Sequence, residues 1–411
     1  MNPGRVLRNW NFARLFLAGA TSIGGFSIGQ VAINYLVYAS TGSSVDLALT
    51  GAAFTVAVVL LSVFGGTMAD RRDRRRLMIL CDAVRAASLA LVAAALLFLG
   101  FDLWLVLAAS VILGAFSAVF QPAERAMIPS MLEKEELADA NGLIQLTVAL
   151  AQAFANALGG ALIAAVGAVL AIGLNSVTFL ASGILIATVV SVGGKGDALA
   201  EGRASFLDDL RKGVRYLIGE RGLLLLTVSA GFVNLFFGMF VPFLVVYTTE
   251  LLHGGALTYG TFLAILALGA VPGALLVGPS RAVRRAGLVW LLSGAVEGAL
   301  ILALVLFPFQ AAAYVSIFVF GLTVGIANTT WLSAVQMLVP NEMQGRYFGI
   351  DQLGSFAIIP VGQVLGGLAV ASLGLPETYA IAAGGFIAVS LAFFAFPELR
   401  ALGYSGPATR R

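Results

Sequence analysis

Four ionisable residues stand well inside long apolar runs: Asp82, Arg85, Glu297 and Asp351. In hydrocarbon each charge costs about 2.5–3.5 kcal/mol on insertion scales, so such a group needs a partner or a wet cavity. Asp82 and Arg85 are three residues apart, which puts them on one face of a helix, where they can neutralise each other. Glu297, in "LLSGAVEGALIL", has no basic residue in its own run. It sits about 16 Å along a helix from the start of that run. A carboxylate in such a place could take up and release a proton. Asp351 lies about two turns into another run and can do the same chemistry. Glu297, Asp351 and Asp82 are therefore the proton-coupling candidates.

Uncharged amides recur at helical spacing. Gln30 and Asn34 are four residues apart, with Ile23 and Ser27 on the same stripe. Gln145, Gln152 and Asn156 share a face, at spacings of seven and four. Gln352, Gln363, Asn234 and Asn328 lie in later runs. Amides on apolar helices either bond to neighbouring helices or line a wet cavity. Phe236, Phe237 and Phe240 would make such a cavity aromatic, and Arg85 is the one cation at mid-run. A largely apolar or amphipathic organic molecule suits it better than a sugar phosphate or dicarboxylate.

The elements that must position these residues are membrane helices. The chain has 411 residues, 60% of them hydrophobic and 11% charged. A soluble domain is nearer 45–50% and about 25%. Twelve apolar segments are read at about 12–40, 46–69, 76–99, 103–126, 137–166, 168–193, 222–250, 256–278, 286–306, 310–337, 344–372 and 377–397. Each is about the length a helix needs to cross hydrocarbon, and too long for a barrel strand. Of the 24 lysines and arginines, 23 fall in alternate connections or at the segment ends that border them; the remaining one is Arg85. The opposite connections have none. By the positive-inside rule both termini are cytoplasmic. The isoelectric point near 9.1 follows from this distribution, and implies no nucleic-acid partner. A single Cys81 and a single His253 leave no disulfide, no cysteine cluster and no histidine-based metal site. The basic N-terminus leads straight into the first span, with no cleavable signal pattern.

Residues 194–221 divide the chain six spans plus six. Within them Phe206, Leu210, Val214 and Leu217 fall on one helical face, which predicts a short amphipathic helix on the inner membrane surface. The expected domains are a six-helix bundle over 1–193, a cytoplasmic linker over 194–221 and a second bundle over 222–411. The halves also repeat. At an offset of 207, Gly114, Glu135, Gly142, Gln145, Leu146, Gly159, Gly160 and Gly167 meet the same residue types at Gly321, Glu342, Gly349, Gln352, Leu353, Gly366, Gly367 and Gly374. Parallel six-span repeats belong to transporters that rock two bundles about a central site.

Residues 70–76 hold five arginines and two aspartates between two oily segments. In "GGTMADRRDRRRLM", Gly66, Asp70, Arg71, Arg74 and Arg75 match the G-x-x-x-D-R-x-x-R-R loop of the major facilitator superfamily, which the chain resembles along its whole length. The resemblance implies that Asp70 helps lock the cytoplasmic side in the outward-facing state. The corresponding stretch of the second half keeps Arg281, Arg284 and Arg285 and has no acid. The "NWNFARLF" start and "FQPAERAMIPSMLEKEELADANGL" resemble exporters of the enterobactin and macrolide type. The proline of the Gly-Pro-x-x-Gly-Gly element common in drug/proton antiporters is missing from Ala155–Gly160, and so is their span-four arginine before Gly114.

The expectation is an all-α membrane protein with twelve transmembrane helices, multi-pass in the plasma membrane, monomeric and without cofactor. It is read as a secondary transporter that exports a hydrophobic or amphipathic small molecule in exchange for protons. A nutrient importer or facilitator of the same fold is the alternative; a non-transporting scaffold or sensor fits less well. No phosphate-binding loop or catalytic grouping points to an enzyme.

Overall fold

Side-chain caps set where several helices begin. In a computed structural model, which describes residues 6–190, 206–277 and 283–403, Asn9 accepts hydrogen bonds from the backbone of Asn11 and Phe12 (3.1 and 3.2 Å). This starts α1, Trp10–Thr41. Ser43 caps α2, Ser44–Arg71. Asp73, the second aspartate of the arginine loop, accepts from Arg76 N at 3.0 Å and starts α3, Arg74–Leu99. Asp102 does the same for α4, Leu103–Met127. Each satisfies an orphan N–H of a first turn. The first unit is completed by α5, Leu137–Val166, and α6, Ala168–Thr188.

After them come α7, Phe206–Gly219; α8, Arg221–Phe240; α9, Ala256–Leu276; α10, Ala286–Leu306; α11, Gln310–Leu338; α12, Asn341–Asp351; α13, Ile359–Leu373; and α14, Leu375–Phe394. Among the described residues twelve helical stretches are long and apolar enough to cross a membrane. Three of these spans are not continuous α-helix: span four ends in a 3₁₀ turn at Ile128–Ser130. Span seven passes through a 3₁₀ turn at Val241–Phe243 and a π turn at Tyr247–Leu251; span eleven has a π turn at Gln352–Phe356. Pro242 and Pro360 lack the N–H that would continue the α ladder at these places.

The chain divides into two compact units. One is Met1–Gly202 with Thr248–Ala264; the other is Arg203–Tyr247 with Ile265–Arg411. Each repeats the other's internal packing. In the first, α1 packs on α5 and α6, and α3 packs on α4 and α6. In the second, α8 packs on α13 and α14, and α10 packs on α11 and α14. The glycines matched by the sequence repeat occupy matching contacts. A Cβ on Gly114 of α4 would lie 2.3 Å from the Phe54 carbonyl oxygen of α2; one on Gly321 of α11 would lie 2.1 Å from the Leu266 oxygen of α9. Gly159 abuts Ile28 of α1 as Gly366 abuts Met239 of α8. Gly167 and Gly374 both turn the chain at positive φ, 87° and 102°. Only glycine takes these conformations without strain.

The linker helix α7 docks on α12 of the second unit. It buries Gly213 and Leu217, whereas Val214, expected on the same apolar face, is 39% exposed and Ile218 is 63% exposed. The reason is Gly213: a Cβ there would come within 2.5 Å of Ile350, so the missing side chain sets the rotation of α7. The side chains of Phe206 and Leu210 lie outside the described residues.

Candidate functional site

Aromatic side chains on α1 open the site. Phe12, Phe16, Gly19, Ile23 and Phe26 recur every three or four residues, forming one stripe along the helix. That stripe lines a cavity of about 400 Å³ inside the first unit. Phe54 of α2, Arg85 of α3, Phe120, Gln121, Glu124 and Arg125 of α4, and Gln145 and Gln152 of α5 complete the wall. The volume suits a drug-sized organic molecule.

Arg85 is 3% exposed. Its Nη2 donates to Asp82 Oδ1 at 2.5 Å, an ion pair between side chains 4% and 1% exposed. The Phe120 and Phe179 rings cover the guanidinium, with Cζ 4.3 and 4.5 Å from their centroids. Cation–π contact strengthens where water is excluded. Arg85 Nε makes no hydrogen bond among the described residues. The pairing expected from the i, i+3 spacing is thus present, reinforced from two other helices.

Glu124 went unnoticed in the sequence. It lies in the quoted exporter-like stretch, next to Arg125, and reads there as part of a charged helix end. The fold turns it into the cavity instead. A Cβ on Gly19 would lie 2.4 Å from Glu124 Oε1, so the carboxylate occupies the notch left by that glycine. Asn175 was also missed. It is 1% exposed, with its amide against Gly25 and Gly29 of α1, and accepts from Thr178 Oγ1 at 3.1 Å.

The other expected residues separate. Gln145 and Gln152 reach the cavity; Asn156, on the same helix, donates to the Leu263 carbonyl at 3.4 Å. Asn34 donates to the Tyr259 hydroxyl at 3.2 Å, and Tyr38 donates to Glu250. Gln30 is half-buried and Asn328 exposed. Within the second unit, Asp351 accepts from Ser355 Oγ at 2.7 Å. Ser355 Oγ also lies 3.1 Å from the Thr227 carbonyl, the Ser355 carbonyl accepts from Asn234 Nδ2 at 2.9 Å, and the Thr227 hydroxyl bonds that of Tyr347 at 2.8 Å. Asp351 and Asn234 thus join in one network across α8 and the π turn. Gln352 is half-buried beside it. Gln363 is 8% exposed and its Oε1 has no partner among the described residues. Glu297 is 4% exposed on α10, also with one carboxylate oxygen unpartnered.

In the arginine loop, Arg74 donates to the Ala126 carbonyl at 2.9 Å. Arg75 donates to the Ile186 carbonyl at 3.2 Å and to that of Ala187. Arg14 adds a bond to the Thr188 carbonyl at 2.8 Å. These cations satisfy the orphan carbonyls that end α4 and α6 and complement their dipoles. The side chains of Gly66, Asp70 and Arg71 lie outside the described residues. Among those residues, no cluster of histidine, cysteine or carboxylate could hold a metal.

Residues 3–404 match the family described as transmembrane secretion effector. The multidrug efflux pump Tap of Mycobacterium tuberculosis is 26% identical over 412 aligned positions, which cover 96% of each chain. The MFS-type transporter YvqJ of Bacillus subtilis is 25% identical over 93% of this chain and 90% of its own. Macrolide efflux protein A of Streptococcus pyogenes is 21% identical over 96% and 98%. A point mutant of the nucleoside transporter NupG superposes with a TM-score of 0.79 at 10% identity, over 94% of this chain and 99% of that one. A bacterial homologue of the iron transporter ferroportin gives 0.72 at 15% identity, over 94% and 98%. These two likenesses establish the fold. With twelve apolar helices, a repeated packing scheme and a family match over almost its whole length, the chain belongs to the transmembrane secretion effector family of major facilitator superfamily transporters.

Proposed function

We propose that the protein exports a hydrophobic or amphipathic small molecule across the plasma membrane in exchange for protons, by alternating access. The observation that carries this reading is the cavity of the first unit, walled largely by phenylalanines, aliphatic side chains and amides, with its buried cation Arg85 paired to Asp82. Such a wall binds organic molecules by area and stacking rather than by a fixed set of polar contacts. The efflux relatives support the outward direction. Both termini are assigned to the cytoplasm by the distribution of lysine and arginine. The working unit is a monomer of two six-helix bundles, 1–193 and 222–411, joined by the linker 194–221.

One proton is a sufficient drive: each charge moved through 100 mV is worth about 2.3 kcal/mol, or roughly fifty-fold in concentration. Glu297, Asp351 and Asp82 are the candidates to carry it. Their settings rank them. Asp82 is held by Arg85 and Asp351 by Ser355, whereas no ion pair or hydrogen bond holds Glu297 among the described residues. Asp70 with Arg71, Arg74, Arg75 and Gly66 forms the cytoplasmic latch.

Everted vesicles loaded by an imposed pH gradient test the reading. A fluorescent lipophilic dye should accumulate, and a protonophore should abolish the accumulation. Accumulation that is unchanged by protonophore removes the coupling; movement only in the opposite sense makes the protein an importer. Glu297→Gln with a full rate and an unchanged pH profile would take that residue out of the proton path.

A further inference from the structure

We infer that Glu124, seated in the notch of Gly19, is the recognition point for a positively charged head on the substrate. The ligand class is an amphipathic organic cation, with its rings among Phe16, Phe26, Phe54 and Phe120. This rests on the transporter reading and is independent of proton coupling.

The charged groups of the cavity differ in how they are paired. The lining holds three: Arg85, Glu124 and Arg125. Arg85 is committed: Asp82 neutralises it and two rings cover it. An anionic ligand could use Arg85 only by breaking this pair. Glu124 makes no hydrogen bond or salt bridge among the described residues, and is the one carboxylate in the lining. Arg125 follows it in sequence, about 100° around the helix; with Arg85 it acts on the carboxylate electrostatically, without forming a salt bridge to it among the described residues. Arg125 is exposed, whereas Glu124 is half-buried.

The placement of Glu124 favours the same ligand. Gly19 lies on the aromatic stripe of α1, three residues from Phe16 and seven from Phe26. The absent side chain lets the Glu124 carboxylate lie against α1 instead of projecting past it. An ammonium or phosphonium bound there would meet the Glu124 carboxyl group and the phenylalanines of the same lining. Both attractions strengthen as a bound molecule displaces water from the cavity. Alanine at position 19 would push the carboxylate off this seat.

Equilibrium binding of tetraphenylphosphonium to the purified full chain in detergent tests the inference, with N-phenylnaphthylamine as a neutral probe and tetraphenylborate as the anion. Glu124→Gln should weaken phosphonium binding about tenfold or more and leave the neutral probe unchanged. Gly19→Ala should weaken it several-fold, and Glu124→Asp should retain part of it. Arg125→Ala should strengthen it. A monodisperse size-exclusion peak and a cooperative melt show that a variant is folded; if Glu124→Gln does not fold, Gly19→Ala carries the test. The inference is overturned if wild-type protein fails to bind the phosphonium, if Glu124→Gln and Gly19→Ala both bind it as wild type does, or if tetraphenylborate binds more tightly. Protonophore-sensitive export of a neutral dye alongside any of these results would leave the export reading standing and this inference refuted.

Discussion

Removing Asp82 should cost far more than removing the charge of Arg85, although they form one pair. The two side chains are 1% and 4% exposed, with 2.5 Å between Oδ1 and Nη2. In Asp82→Ala a guanidinium stays buried between two rings without its hydrogen-bonded counterion, and it cannot shed its charge. Breaking a buried pair from one side costs about 3–5 kcal/mol. In Arg85→Met the apolar stem still fills the space between Phe120 and Phe179, and the carboxylate left behind can discharge by taking a proton. About 1–2 kcal/mol is expected there. The double variant should resemble Arg85→Met alone, because the orphaned cation is gone. Taking about 2.1 cal/mol/K of unfolding entropy per residue, a loss of 3.5 kcal/mol lowers the melting temperature by about 4 °C if the whole chain melts together, and by about 8 °C if the first unit melts alone. Thermal melts in lipid nanodiscs, run as a double-mutant cycle, measure this. Equal losses for the two single variants, with an additive double, would refute the claim that the pair is a coupled buried unit.

Three further outcomes are expected. Gly260→Val should block folding or transport, since a Cβ at Gly260 would lie 2.6 Å from Gly160 Cα; monodispersity on size exclusion and dye accumulation in vesicles report the two effects, and a fully active variant would remove this helix crossing from the argument. Ser355→Ala removes the single hydroxyl donor shared by Asp351 and the Thr227 carbonyl and should destabilise the protein by about 1–3 kcal/mol, read as a melting shift, with no shift if the network is incidental. Asp70→Asn should insert normally and transport slowly; transport at the wild-type rate would reduce the arginine loop to its capping and orientation roles.

The spans were legible because their signal is one-dimensional. An apolar run long enough to cross hydrocarbon is written in consecutive residues, and so is the alternation of basic and neutral connections. The predicted segments 103–126, 137–166 and 286–306 reappear within a residue as α4, α5 and α10. The repeat was equally legible, because Gly114 and Gly321 must be glycine for the same backbone contact. The Asp82–Arg85 pair followed from helical spacing alone.

What tertiary structure decided was which polar groups share a space. Gln145 and Asn156 lie on one helix face by spacing, yet one lines the cavity and the other bonds the Leu263 carbonyl. Asp351 and Asn234 are far apart in sequence and meet in one network through Ser355. Glu124 carried no distinguishing mark among the charges that end its helix. Its place depends on the absence of a side chain at Gly19, over a hundred positions away, and no local pattern encodes the depth of a notch on another helix. The sequence by itself determined the helices, their number and their duplication, because hydrophobic length and backbone contact constrain each residue singly. The packing determined the site, because a cavity is a property of surfaces that adjoin only after the helices have met.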